Sequence, residues 1–560
     1  MFNMGLEETI RKYALQNAVK FNGKANIGAV IGKVLAENPG LKKDMKKLSK
    51  QIHKIVNEVN SLSKNEQKKE FEKYSGQIVE TKKEQKDIFA VFDIKEGEKV
   101  VTAFPPEPSK YPHIGHAKSI FLNYELAKRN NGKFILRFED TNPKLAEKEF
   151  YKIHLENYEW LGIKPDLVEY ASDYVPKFYE FAKEMIKKGY AYVCTCAQEE
   201  IKKNRFEGKE CHCRILMENE HEKRFEEMFK AKEGEMVLRL KGYMQHENTT
   251  MRDPTLLRII EHTHTRQGKK YRVWPTYDFE NAVLDGLEGV THRLRTKEFE
   301  LRNELQNYVQ NILGFKQTEI YEFARFNLEG VESSGRIIRE LIKKKKLIGW
   351  DDPSLTTIVA LRKRGFVAEA IKNFVLSTGI TKTEATLTWD DLIMHNKRIL
   401  DAKANRYFFI HDKKEIKVEN APEQTVKLKL HPDAKERERE FKVKDTFYIE
   451  QEDFKKFKNG KLHRLMDCLN FKKMGSKLIF HSAEHEKFRK NDGLIIHWLP
   501  KQKELANVEV FMPDKKLVKG IAEPLVKKLN ENNEIQFARF GFCRLDKKEK
   551  NRLRFWFTHK

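Results

Sequence analysis

Cysteine is scarce in this sequence, with six residues in 560. That is too few for a disulfide scaffold. Four of the six fall between positions 194 and 213, a clustering that points to a metal rather than to cross-links. Long apolar runs are missing too. Stretches such as Ile88–Phe92 fall far short of the roughly 20 residues that a membrane span needs. The opening segment MFNMGLEETIRKYALQ has no apolar core behind its basic residues, so it does not read as a secretory signal. Together these absences lead us to expect a cytoplasmic protein. Acidic residues are outnumbered, 84 Asp and Glu against 108 Lys and Arg, which leaves a formal charge of +24. Such an excess points to nucleic acid or, more blandly, to solvated lysine-rich faces. Aromatics are plentiful (37 Phe, 18 Tyr, 6 Trp), which argues against a disordered chain. The length suits three to five units of roughly 100–200 residues.

The pattern divides the chain into six parts. Residues 1–95 are polar and helical, with Ile10, Ala14, Leu15 and Ala18 at helical spacing, a turn signal at Asn38-Pro39-Gly40, and a Lys/Glu-rich stretch over 41–88 that predicts a long exposed helix or helix pair. Over 96–190, strands (VVTAF, FILRFED) alternate with helices, which predicts a parallel, doubly wound sheet. Residues 191–270 hold the cysteines and charged helices and read as an insertion. The alternation resumes over 271–336, residues 337–405 are helical again, and 406–560 carries short strands that predict one or two β-barrels. The fold class is thus multidomain α/β.

FPPEPSKYPHIGHAKS, Phe104–Ser119, places His113 and His116 three apart at the start of a helix, with Gly115 between them. Helix-start amides and two imidazole donors suit a polyphosphate, and Gly115 leaves room for a close approach. The same pair could hold a metal or simply cap the helix. The cysteines read CTC, 14 residues, CHC: Cys194, Cys196, Cys211 and Cys213. Two close thiol pairs suit a tetrahedral structural Zn²⁺, with His212 able to replace one of them. Cys468 and Cys543 read as barrel-core residues. The run Lys343–Lys346 could meet phosphates or be a solvated face. In FARFGFCR and RLRFWF, basic and aromatic residues alternate, which suits stacked bases or a barrel wall.

The full string around His113 and His116 resembles the HIGH signature of class I aminoacyl-tRNA synthetases, in the form of the glutamyl and glutaminyl group. RFEDTNP (Arg137–Pro143), MRDPTLLR (Met251–Arg258), PTYDFENAVLDGLEGVTHRLR (Pro275–Arg295), GWDDP (Gly349–Pro353) and LRKRG (Leu361–Gly365) extend it. N-terminal helices followed by barrels resemble the archaeal and eukaryotic glutamyl layout. The resemblance implies a Rossmann-type catalytic domain, an inserted acceptor-end domain, a helical connector and an anticodon-binding barrel region. It implies ATP and Mg²⁺ as cofactors, and activation of glutamate to glutamyl-adenylate followed by transfer to the terminal adenosine of tRNA(Glu), with tRNA(Gln) a further candidate. His113, Gly115 and His116 then contact ATP, as do Ser334 and Arg336. Glu139, with Asp140 beside it, takes the α-ammonium; Glu107, Tyr277 and Asn281 lie close to the substrate. Arg295 meets the γ-carboxylate and favours glutamate over glutamine, with Arg293 as its competitor or a tRNA-phosphate contact. A protein partner for residues 1–95 and a monomeric state complete the expectation.

The sequence departs from that pattern. The second signature loop, NLEGVESSGRIIREL, matches a Ser-Lys-Arg core in one register with Ser334, Gly335 and Arg336, which puts glycine at the lysine; a register shifted by a residue puts Arg336 itself at the lysine position. Losing such a donor costs on the order of 10²–10³ in rate. Ala103 stands where Arg is usual, Lys110 where Gly is usual, and Leu301 where an acid is usual. Lys110, Arg336, Arg339 and Lys343 are the candidates to compensate. If none does, the alternative is a synthetase-like tRNA-binding protein with weak or no activation. A glutaminyl enzyme is the remaining alternative.

Overall fold

The computed structural model describes all residues except 1–4, 21–22, 75–86, 434–436 and 490. It divides into two units, residues 1–87 and 88–560. In the first, helices Leu6–Lys20, Ile27–Glu37, Met45–Ser61 and Lys64–Glu72 bury Ile10, Ala14, Leu15 and Ala18 against Leu48, Ile52, Val56 and Val59. The stretch expected as an exposed helix is therefore amphipathic. Its break at Leu62-Ser63 is fixed by a reciprocal capping box between Ser63 and Glu66. Part of the expected linker, 81–86, lies outside the described residues. Phe89 and Phe92 pack with Val100, Leu122 and Leu294, so Ile88–Phe92 belongs to the second unit rather than to the N-terminal helices.

The second unit is built on a parallel sheet. Strands β1 (Val101–Phe104), β2 (Lys133–Phe138) and β3 (Leu167–Tyr170) come before the insertion. Strands β4 (Ala191–Cys194), β5 (Val237–Leu240), β6 (Thr255–Ile259) and β7 (Val273–Pro275) form a separate antiparallel sheet. The chain then returns to β8 (His292–Thr296) and β9 (Glu319–Phe323), and the five parallel strands run in the order β3-β2-β1-β8-β9. The β7 segment was expected to reopen the nucleotide-binding sheet. It pairs instead with β6, Trp274 opposite Arg258, so the insertion's sheet extends to Pro275. The central strand β1 and all of β2 but Lys133 are buried on both faces, as a sheet covered by helices requires. Helix Ile114–Arg129 covers one face, and helices Ile358–Arg364 and Ala368–Ser377 join its core through Ile358, Leu361 and Phe374.

Beyond Asn405 two seven-stranded sheets curl around separate cores, one centred on Trp498, Phe447 and Phe471, the other on Phe537, Phe555 and Cys543. Both Cys468 and Cys543 are buried. In FARFGFCR and RLRFWF, Phe537, Phe542 and Phe555 are wholly buried. These three rings are barrel core and fit the barrel-wall reading, while Phe540 and Phe557 of the same segments are half-buried. The Lys343–Lys346 run ends a helix with all four residues exposed. No helix among the described residues is long and apolar enough to cross a membrane.

Candidate active site

In a doubly wound sheet the ligand crevice opens beyond the carboxyl ends of the strands, where chain connections diverge to either side. Here that point is β1, flanked by β2 and β8. The Pro-rich loop and His113 follow β1, Glu139 follows β2, and Arg295 lies at the end of β8. Segments 156 residues apart in sequence (295 − 139) therefore meet at one edge.

The two histidines cap their helix. His113 is the N-cap, and its Nδ1 accepts from the Gly115 amide at 3.1 Å; His116 Nδ1 accepts from the His113 amide at 3.2 Å. Each ring thus spends Nδ1 on the backbone. A neutral imidazole in that arrangement carries its proton on Nε2, which remains a donor. Burial keeps both neutral, with His113 pushed down to about 3 and His116 well below its ordinary value; neighbouring Lys110 adds to both shifts. The rings sit edge to face at 4.1 Å, and a third imidazole, His154, packs against His116 at 5.9 Å. His154 Nε2 donates to the Lys110 carbonyl at 2.8 Å and so anchors the loop.

Two expectations change at this point. The helix-start amides are largely occupied, because Gly115 N is held by His113 and Ile114 N donates to Thr356 O at 3.0 Å. At this helix start, phosphate contact therefore falls to the imidazoles rather than the amides. A Cβ on Gly115 would lie 2.9 Å from His113 Cε1, so the group that approaches Gly115 is the His113 ring. Pairing of Thr356–Ile358 with Pro112–Ile114 holds this segment from the helical region, a contact that the sequence did not signal.

Glu139 and Arg295 carry opposite charges, and neither is in an ion pair among the described residues. The Glu139 carboxylate accepts from Thr141 Oγ1 at 2.9 Å, and the Arg258 charge acts on it without a direct contact. Burial raises its pKa to about 7, and the neighbouring Glu107 carboxylate adds to the rise. Glu107 itself is held by Ser109 Oγ at 2.6 Å. Arg295 is 6% exposed; it donates to Gln306 Oε1 at 2.9 Å and to Asn303 Oδ1, both neutral, and its Nε has no acceptor. Burial lowers its pKa, as expected for a guanidinium without a counter-ion. Tyr277, at the start of helix Tyr277–Glu288, feels the fields of both Arg295 and Glu139, and burial keeps its phenol protonated.

Other expected residues fall elsewhere. Arg293 is buried, paired with Asp285 and bonded to Asn281, so it reaches no tRNA phosphate. Asn281 is itself fully buried, and it accepts from Arg137 at 3.2 Å while donating to Glu280 at 2.6 Å. It braces the pocket floor through a network that also joins Arg137 to Asp285 at 3.0 Å and to Glu288 at 2.6 Å. Asp140 is engaged by other groups. Tyr151 and Ser172 satisfy its carboxylate at 2.7–2.8 Å, and it has no vacancy for an ammonium group. Ala103 is buried against Val101, Ile135 and Val290. Ser334 precedes helix Gly335–Lys343 and donates its amide to Glu332 at 2.7 Å; Arg336 is exposed and has no hydrogen bond or ion pair among the described residues. Leu301 is 60% exposed.

The four clustered cysteines converge. Cys194, Cys196, Cys211 and Cys213 are all buried and unbridged, and their sulfurs lie within 4.8 Å of one another. Zn–S bonds of about 2.3 Å in a tetrahedron put sulfurs roughly 3.8 Å apart. Cys194 and Cys211 are 3.8 Å apart. His212 is exposed and touches Cys196 and Cys213 from outside the cluster. The thiols therefore fit Zn²⁺ without it.

Comparison with known proteins agrees with this geometry. Residues 99–402 match the catalytic domain of class I tRNA synthetases (E and Q), and residues 404–479 and 495–546 match two anticodon-binding domains of that family. A glutamate–tRNA ligase of Pyrococcus furiosus is 41% identical over 576 residues, covering the whole of both chains. Those of Nitrosopumilus maritimus and Methanothermobacter thermautotrophicus are each 38% identical, over 572 and 558 residues, covering 99% of this chain and 99–100% of theirs. The chain belongs to the class I tRNA synthetases of the E and Q group, alongside the archaeal glutamate–tRNA ligases.

Proposed function

We propose that this chain is a glutamate–tRNA ligase in which Glu139 and Arg295 select the amino acid and His113 and His116 hold the ATP phosphates. The observation that carries this is a carboxylate and a guanidinium at the carboxyl ends of β2 and β8, neither held in an ion pair among the described residues. An amino acid with an α-ammonium and a side-chain carboxylate neutralises both. A neutral amide side chain leaves Arg295 unpaired, and a planar guanidinium matches a carboxylate in bidentate fashion. The glutamate α-carboxylate oxygen attacks the α-phosphorus of ATP; the P–O bond to the β-phosphate breaks and its electron pair leaves with pyrophosphate. The Nε2–H groups of His113 and His116 donate to phosphate oxygens as that charge builds. Such catalysis is positioning and charge stabilisation, with Mg²⁺ on the phosphates sharing the load. The adenylate carbonyl is then attacked by a terminal-adenosine hydroxyl of tRNA, and AMP departs.

Cys194, Cys196, Cys211 and Cys213 would hold a structural Zn²⁺ that pins the start of the insertion, where the tRNA acceptor end is received. The +24 charge suits a tRNA partner. We place the protein in the cytoplasm, as a monomer, with its N-terminal helices available to a protein partner. Pyrophosphate exchange with ATP and tRNA, run with glutamate, glutamine and aspartate in turn, tests the reading. Exchange with glutamate alone supports it, and exchange with glutamine at equal efficiency refutes it.

A further inference from the structure

In the register that pairs Ser334, Gly335 and Arg336 with the Ser-Lys-Arg core, the loop Val331–Arg336 has glycine where the resemblance implies lysine. The same chain has Lys110 where the resemblance implies glycine. The two positions are 225 residues apart (335 − 110), yet they touch. A Cβ built on Gly335 would lie 3.0 Å from Lys110 Cδ, 3.6 Å from its Cβ and 3.9 Å from its Cγ. A side chain starting at 335 would therefore crowd the Lys110 stem, which would have to give way by a few tenths of an ångström.

The Lys110 ammonium also has the right company. Its charge is felt by His113, His116 and His154, so it stands beside the imidazoles assigned to the phosphates. It has no hydrogen bond or ion pair among the described residues. The other cation acting on His113, Arg325, is bonded to Glu298 at 2.7 Å. Arg339 is committed to the Ser109 carbonyl and lies over Trp350. Glu107 acts on Lys110 from within the same loop, and burial disfavours the ammonium. The Lys110 backbone is fixed by His154 on its carbonyl, and Arg339 fixes the carbonyl before it. A cation without an ion pair, carried on a pinned loop, is a preorganised partner for an anion.

We propose that Lys110 replaces the missing loop lysine as the cation that faces the leaving pyrophosphate, and that Gly335, which sets no side chain against its stem, lets it do so. The role rests on the ligase reading above. As the bond between the α-phosphorus and the bridging oxygen breaks, negative charge grows on the pyrophosphate, and Lys110 meets it from the loop after β1 rather than from the helix start at 335. The two departures are one exchange of residues across a close contact, and the chain keeps its chemistry.

The test is a double-mutant cycle on the full chain: Lys110→Gly, Gly335→Lys and both together, with Lys110→Met as the length-matched neutral form. Glutamate-dependent pyrophosphate exchange gives kcat and KM for ATP. Calorimetric titration with Mg²⁺–ATP reads binding without turnover, and tRNA binding and thermal melting report folding. The expected losses in kcat/KM for Lys110→Met and Lys110→Gly are on the order of 10²–10³, with melting and tRNA binding kept. Gly335→Lys alone brings no gain, whereas in the Lys110→Gly background it restores at least about tenfold. Lys110→Met within about threefold of the unaltered protein overturns the proposal, as does Gly335→Lys acting equally in both backgrounds. If the unaltered protein shows no exchange, the ligase reading falls; unchanged ATP affinity in Lys110→Met would then overturn the Lys110 role separately, and a matching loss of affinity would uphold it.

Discussion

Replacing Arg295 and Arg293 by leucine, one at a time, should separate recognition from stability. The two guanidiniums are two residues apart on β8 and both are buried, but their partners differ. Arg295 donates to the amide oxygens of Gln306 and Asn303, has the Tyr277 phenol and the Phe299 ring against it, and is in no ion pair among the described residues. Its removal relieves a desolvated charge and orphans two neutral acceptors, opposing effects of about 1–3 kcal/mol each that leave a small net change. It also leaves the glutamate γ-carboxylate without its cation, which costs roughly 2–5 kcal/mol. At about 1.4 kcal/mol per decade, kcat/KM for glutamate falls roughly 30- to 4,000-fold. Arg293 is the reverse case. Its loss strands the Asp285 carboxylate in the core, for which breaking a buried pair costs about 3–5 kcal/mol. Arg137 still reaches Asp285 at 3.0 Å, so about 3 kcal/mol is expected. Urea unfolding of the full chain and glutamate-dependent pyrophosphate exchange read the two quantities. A loss in Arg295→Leu below about tenfold, or Arg293→Leu losing glutamate use with no loss of stability, would refute this reasoning.

Three further outcomes follow from the site. Glu139 must be ionised to hold an ammonium group and its pKa is raised to about 7, so kcat/KM for glutamate should fall about tenfold per pH unit below that value. His113, held near 3, does not titrate in this window, and Glu139→Gln should give a low, flat profile; a wild-type profile flat from pH 5 to 7 contradicts the assignment. The purified chain should carry about one zinc by elemental analysis, and Cys211→Ser should lose it along with tRNA charging, since structural zinc contributes folding energy directly; a metal-free chain of full activity would count against the site. Gly115→Ala puts a methyl 2.9 Å from the His113 ring, and a displacement of about 1 Å at the phosphates should cost on the order of 10²-fold in kcat/KM for ATP, read by exchange at unchanged melting temperature.

Much of the fold was legible because its signals are local. Strand and helix periodicities over 96–190 led directly to β1, β2 and the helices between them, and the CTC and CHC pairs marked the converging thiols. What escaped was set by distant pairing. VWP looks like any buried strand, and only its partner, β6, assigns it to the insertion. The aromatic–basic alternation of the barrels is the same on a binding face as on a core face. Neighbours in sequence also take different partners: Glu139 accepts from Thr141, and Asp140 from Tyr151 and Ser172. The sequence showed that Lys110 and Gly335 are both unusual. That they lie in close contact required coordinates.

The central claim is that this chain, despite its glycine at 335, charges tRNA with glutamate. The most direct measurement is incorporation of labelled glutamate into tRNA by the unaltered protein with ATP and Mg²⁺. The account predicts ready formation of a base-labile, ribonuclease-sensitive glutamyl ester that requires ATP and is not matched by labelled glutamine. No ester, with tRNA still bound by the same preparation, would contradict it.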